Sequence, residues 1–111
     1  MRARRAILFG LLWVMGWWSR RSVAKLDDSP PNLVIKHLAY GRARDAVVVA
    51  REILSRDPGH HSVRLNLATA LYLLRQNDQA RQEMSRLSAA ALSEGERRLL
   101  ADLVKKTAVS S

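Results

Sequence analysis

The stretch Gly41-Arg42-Ala43-Arg44-Asp45-Ala46-Val47-Val48-Val49-Ala50-Arg51-Glu52-Ile53-Leu54-Ser55-Arg56-Asp57-Pro58-Gly59-His60 decides the fold. Ala43, Ala46, Val47, Ala50, Ile53 and Leu54 recur at the i, i+3, i+4, i+7 spacing of one helix face. Val47-Val48-Val49 alone reads as strand. Arg51-Glu52 and the Glu52 to Arg56 pair, four residues apart, turn the reading to helix over 43–56. Asp57-Pro58-Gly59 stops it, because proline cannot continue the hydrogen-bond ladder and glycine punctuates the turn.

Helix signals run outward from there. The stretch 62–75 carries Val63, Leu67, Ala68, Leu71 and Leu74 as one stripe, and Leu65, Tyr72 and Leu73 as a second. This helix is expected to be contacted on two sides. Asn77 is placed to cap the next helix, with Ala80, Met84 and Leu87 as a narrow stripe. Ser93 with Glu96 spells a capping box for a last helix, whose buried side is expected to be Leu99, Leu100, Leu103 and Val104. On the other side, Asp27-Asp28-Ser29-Pro30-Pro31-Asn32 is a breaker cluster, and Ser29 with Pro30 and Pro31 fits a helix start.

Shifting the sequence by 34 residues superposes like on like. Leu33 falls on Leu67, Asp45 on Gln79, Ala46 on Ala80, Ala50 on Met84 and Ile53 on Leu87. The period and these residues resemble the tetratricopeptide repeat. In that resemblance Gly41 is the turn residue within a unit, Ala46 the small residue where two helices cross, and Pro58 the terminal proline. Arg75 stands where glycine is usual, and Leu92 replaces a second terminal proline. The resemblance implies an all-α array of about two α-hairpin units with a capping helix, over residues 33–109. It also implies that the first helix of each unit lines a partner-binding groove, which projects Ile35, Leu38, Leu65, Thr69 and Tyr72 into it. The Lys and Asn set that clamps a terminal carboxylate in chaperone-binding members is not matched: Pro31 and Ile35 stand at two of its positions, and only Asn66 agrees. An unrelated α-hairpin bundle is the other reading of the same alanines and leucines.

Residues 1–25 are of another kind. Arg2, Arg4 and Arg5 precede an uncharged apolar run from Ala6 to Trp18, and Arg20, Arg21 and Lys25 follow it. The run includes Leu8, Phe9, Leu11, Leu12, Trp13, Val14, Trp17 and Trp18, read here as a membrane anchor. As a helix it spans about 20 Å, short of a bilayer core of about 30 Å, but flanking arginines can snorkel and the tryptophans favour the headgroup region. The expectation is an N-terminal hydrophobic helix, a linker over 26–32, and a single-pass protein of a bacterial inner membrane with its C-terminal domain in the periplasm. An exported module that loses its first 24 residues is the alternative.

The chain carries 19 Lys and Arg against 10 Asp and Glu, a formal charge of +9, and no cysteine. Disulfides, thiolate nucleophiles and Cys-based metal sites are therefore excluded. Six of the basic residues bracket the apolar run, where anionic lipid accounts for them. The rest are scattered, and aromatic stacking platforms are lacking, so nucleic acid is a disfavoured partner. His60 and His61 are adjacent rather than four apart, so they form no helical zinc pair, and are read as solvated loop residues. His37 is read as lying at a groove or core edge. There is no Gly-x-Ser-x-Gly context and no Gly-rich phosphate loop. The sequence thus points to a non-catalytic, membrane-tethered adaptor or accessory subunit without cofactors. Its expected partners are proteins of a membrane or envelope complex, and the bilayer through residues 6–18. A basic nucleic-acid or anionic-membrane binder is the reading from another class.

Overall fold

The computed structural model describes residues 25–109. They form five α-helices: α1 Pro30–Ala39, α2 Ala43–Arg56, α3 His61–Leu73, α4 Asn77–Ser85 and α5 Glu94–Val109, with a 3-10 turn at Ala89–Ala91. Successive helices pack on one another, and α3 also touches α1 and α5. This is two α-hairpins stacked side by side and closed by a fifth helix.

The bounds of α2 agree with the periodicity, and Ala43, Ala46, Val47 and Ala50 are its buried face. Ala46 and Ala80 have no exposed surface, as expected of small residues where helices cross closely. The core divides into two clusters. Val34, Leu38, Ala46, Val47, Ala50, Val63, Leu67, Ala70, Leu71 and Ala80 belong to the first. Leu65, Ala68, Leu92, Leu99 and Leu103 make the second. Helix α3 belongs to both, and every residue from Val63 to Ala70 is buried.

The two hairpins share one turn. Gly41 has φ 76 and Arg75 has φ 62, the left-handed conformation at positions 34 residues apart. Around them the backbone repeats bond for bond. The Gly41 amide donates to the Leu38 carbonyl at 3.1 Å and the Arg42 amide to His37 at 2.7 Å; the Arg75 amide donates to Tyr72 at 2.9 Å and the Gln76 amide to Leu71 at 2.8 Å. This is the Schellman arrangement that closes a helix C-terminus. Arginine at the second copy holds a conformation that costs L-residues roughly 1–2 kcal/mol.

The starts of the helices differ in how they are capped. At α5 the expected box is present: the Glu96 amide donates to Ser93 Oγ at 3.2 Å and the Ser93 amide to Glu96 Oε1 at 3.0 Å. At α1 Ser29 holds the cap position without a side-chain cap bond. Asp27 instead accepts from the Ser29 amide and from Asn32. Asn77 opens α4 rather than capping it, and Gln76 precedes it without a cap bond. Val104, expected on the buried side of α5, is 49% exposed, because Leu99, Leu103 and Thr107 take the inward face.

The expectation of a membrane-anchored chain is corrected here. Among the described residues no helix is long and apolar enough to cross a membrane. The longest, α5, has 16 residues, or about 24 Å, and it carries Glu94, Glu96, Arg97, Arg98, Asp102, Lys105 and Lys106. The anchor residues Leu8, Phe9, Leu11, Leu12, Trp13, Val14, Trp17 and Trp18 lie outside the described residues. The described fold is an all-α hairpin array, and the single-pass, periplasm-facing placement falls with the anchor.

Gly41→Ala should lower stability by about 1 kcal/mol, and Arg75→Gly should raise it by up to about 1 kcal/mol, because relief of the left-handed strain is partly offset by greater freedom of the unfolded chain. Urea midpoints measure both. Glu96 gives a pH dependence. Burial works to raise its carboxyl, but hydrogen bonds from Ser62 and Ser93 and the nearby His60 outweigh it and hold it below its ordinary value near 4.5. A lowered folded pKa means that stability is present above the unfolded value and lost as pH falls through the folded one. Wild type should therefore exceed Glu96→Gln in melting temperature at neutral pH, and the gap should close as the pH falls below about 4.5.

Candidate functional site

The five residues projected into a groove do not share one environment. Leu38, Leu65 and Thr69 have no exposed surface. Leu38 packs in the first cluster and Leu65 in the second, against Leu92, Leu99 and Leu103. Thr69 Oγ1 donates to the Leu65 carbonyl at 2.9 Å, which satisfies it inside the core. Ile35 and Tyr72 are half-buried, and Tyr72 packs against both clusters. The reason for the split is α5. Its Leu99 and Leu103 lie against the side of α3 that carries Leu65 and Ala68, so the capping helix covers part of the face the resemblance left open.

Hollows interrupt the described surface. One of about 390 Å³ lies between the start of α1 and the end of α2, lined by Pro30, Pro31, Leu33, Val49 and Ile53, with Glu52, Arg56 and Asp57 at its rim. A second, about 370 Å³, lies at the α1–α2 turn under Gly41, Arg42, Ala43, Arg44 and Asp45, against Leu73 and Leu74. There the Arg42 guanidinium stands 5.4 Å from the centre of the Tyr40 ring. A third lies between α4 and α5, lined by Arg81, Met84, Ser85, Val104, Thr107 and Ala108. Arg81 bridges it, donating to the Thr107 carbonyl at 3.2 Å and pairing with Asp78.

His60, His61 and Glu83 are held by bonds within the fold. His60 Nδ1 accepts from the Val63 amide at 3.3 Å and caps α3, and His61 Nδ1 accepts from the Ser88 amide at 3.4 Å. This corrects their reading as solvated loop residues; histidine is an uncommon cap, so its sequence carried no signal for it. His37 Nδ1 is buried without a hydrogen-bond partner among the described residues. Glu83 is held by Arg64 at 2.8 Å, both side chains largely buried. Arg64 also donates to the Pro58 carbonyl at 2.8 Å, so one guanidinium ties the preceding connector to α4. No group of three His, Asp or Glu among the described residues could hold a metal ion.

The comparisons with known proteins agree with this geometry. The family model described as tetratricopeptide repeat matches residues 37–103. No curated protein and no solved structure matches the chain. The match begins in α1, ends in α5 and spans both left-handed turns and both crossing alanines. It covers 67 of the 111 residues, more than half the chain. The chain belongs to the tetratricopeptide repeat family.

Proposed function

We propose that this chain is a protein-interaction module that holds a partner segment against the face of its first helices, α1 and α3. The observation that carries this reading is what stays accessible there. Ile35 and Tyr72 are half-buried, and Tyr72 packs on both core clusters. A partly exposed aromatic set on a packed core is the kind of residue that carries most of the binding energy of an interface. Two apolar contacts on neighbouring helices suit an extended or helical peptide rather than a small molecule.

The distribution of charge supports a protein over a nucleic acid. Several basic side chains on the described surface are drawn into local pairs: Lys36 with Asp28, Arg56 with Glu52, Arg98 with Glu94, and Arg86 with Glu83. Arg51 donates to Gln79 at 3.0 Å. Such pairs contribute little stability when exposed, but they break up the continuous positive stripe that phosphate recognition uses.

A random peptide library displayed on phage and selected against the full chain tests the proposal. Ile35→Glu and Tyr72→Ala should each weaken a selected peptide roughly tenfold, about 1.4 kcal/mol. Val48→Glu, at a 66% exposed position on α2, should leave binding unchanged. Equal binding by all variants, or loss in the Val48 variant alone, would contradict the assignment.

A further inference from the structure

Residues of both left-handed turns line the hollow of about 370 Å³ at the α1–α2 corner. Gly41, Arg42, Ala43, Arg44 and Asp45 of the first turn form its wall, and Leu73 and Leu74, which lead into the second turn, form its floor. Both leucines are half-buried on the first core cluster, so the apolar surface is recessed. Arg42, Arg44 and Arg75 are exposed around it.

These three arginines differ from others in the array. Arg56, Arg64, Arg81, Arg86 and Arg98 each pair with a carboxylate. No carboxylate among the described residues lies within 4.0 Å of Arg42, Arg44 or Arg75. Arg42 stands over the Tyr40 ring at 5.4 Å instead. Asp45 lines the hollow but pairs with none of them; it sits in the first turn of α2, where a helix dipole favours an acid. Arg75 adds a second signal. Its counterpart in the first hairpin is Gly41, and arginine holds the same left-handed conformation at roughly 1–2 kcal/mol. No hydrogen bond or ion pair of its side chain among the described residues offsets that cost. Backbone strain of this kind concentrates where function requires it, and here it places a cation beside Leu74.

We propose that this edge binds an acidic segment of a partner protein. An apolar side chain of the segment seats on Leu73 and Leu74, and carboxylates on either side of it are held by Arg42, Arg44 and Arg75. The charges are complementary, and the planar fork of arginine bonds a carboxylate through two parallel N–H groups. The recess decides the class of partner. A membrane surface is entered by protruding apolar side chains, whereas Leu73 and Leu74 lie below the arginines. A nucleic acid is held along a cationic track with stacking platforms, whereas this wall is short and carries Asp45. The inference does not rest on the Ile35 and Tyr72 face and stands whether or not that face binds.

Fluorescence anisotropy with the full chain tests it. The probe is a labelled peptide pool with a central Leu-Phe pair flanked by random Asp and Glu, compared with the same pool carrying Asn and Gln. The acidic pool should bind about tenfold more tightly or better. Arg42→Gln and Arg44→Gln should each weaken it about threefold and flatten its salt dependence. Arg75→Gly should weaken it by a similar factor while raising the urea midpoint, so that the loss is not one of folding; if the midpoint falls instead, Arg44→Gln decides. Arg98→Gln, beside Glu94 at the opposite end of α5, should leave binding unchanged. Equal binding of the two pools overturns the proposal, as does a loss in Arg98→Gln equal to that in Arg44→Gln, which marks general charge attraction. So does tighter binding of phosphatidylglycerol vesicles or of random single-stranded DNA through the same arginines.

Discussion

The burial of α3 on two sides is the constraint on which the rest of the fold depends. A helix of 13 residues with every position from Val63 to Ala70 buried must be satisfied polar group by polar group as well as packed. Thr69 bonds back to Leu65, and Arg64 spends its guanidinium on Glu83 and the Pro58 carbonyl. The apolar residues then divide, Val63, Leu67 and Leu71 toward the first hairpin and Leu65 and Ala68 toward α5. Neither cluster is large, and neither contains a tryptophan or phenylalanine. A core of leucine, valine and alanine at this size leaves a modest margin of stability, so each cluster depends on the helix it shares with the other.

Much of this was legible in the sequence, and for physical reasons. The limits of α2 follow from six apolar residues at helical spacing and a proline that cannot be helical. The capping box at Ser93 and Glu96 is a local, reciprocal bond that two residues specify by themselves. The second apolar side of α3 announced a helix with neighbours on two sides. The 34-residue shift identified the positions of the turns, and Arg75 takes the left-handed conformation of Gly41 even though its residue type argues against it. There the tertiary structure overrides a local preference of about 1–2 kcal/mol.

Leu65 and Thr69, projected toward a groove, have no exposed surface, and Val104, expected in the core, is 49% exposed, because a residue's face is set by where α5 lands. No local pattern encodes that docking. The roles of His60 and His61 were hidden because they accept backbone hydrogen bonds from groups distant in type and, for Ser88, distant in sequence. The hydropathy of residues 6–18 reads the same for a bilayer as for any apolar surface. What the described fold adds is a hollow between α1 and α2, lined by Pro30, Pro31, Leu33, Val49 and Ile53. The account that results is of a small helical scaffold in which Ile35 and Tyr72 stay half-buried on the first helices of the two hairpins.

The central claim is that α3 joins both hairpins and α5 into one cooperative unit. Native-state hydrogen exchange on the full chain tests it most directly. The account predicts that amides of α3 exchange slowest and only through global opening, with those of α2 and α5 opening at the same denaturant dependence. A first hairpin that exchanges independently of α3, or an α3 no better protected than α1, would contradict it.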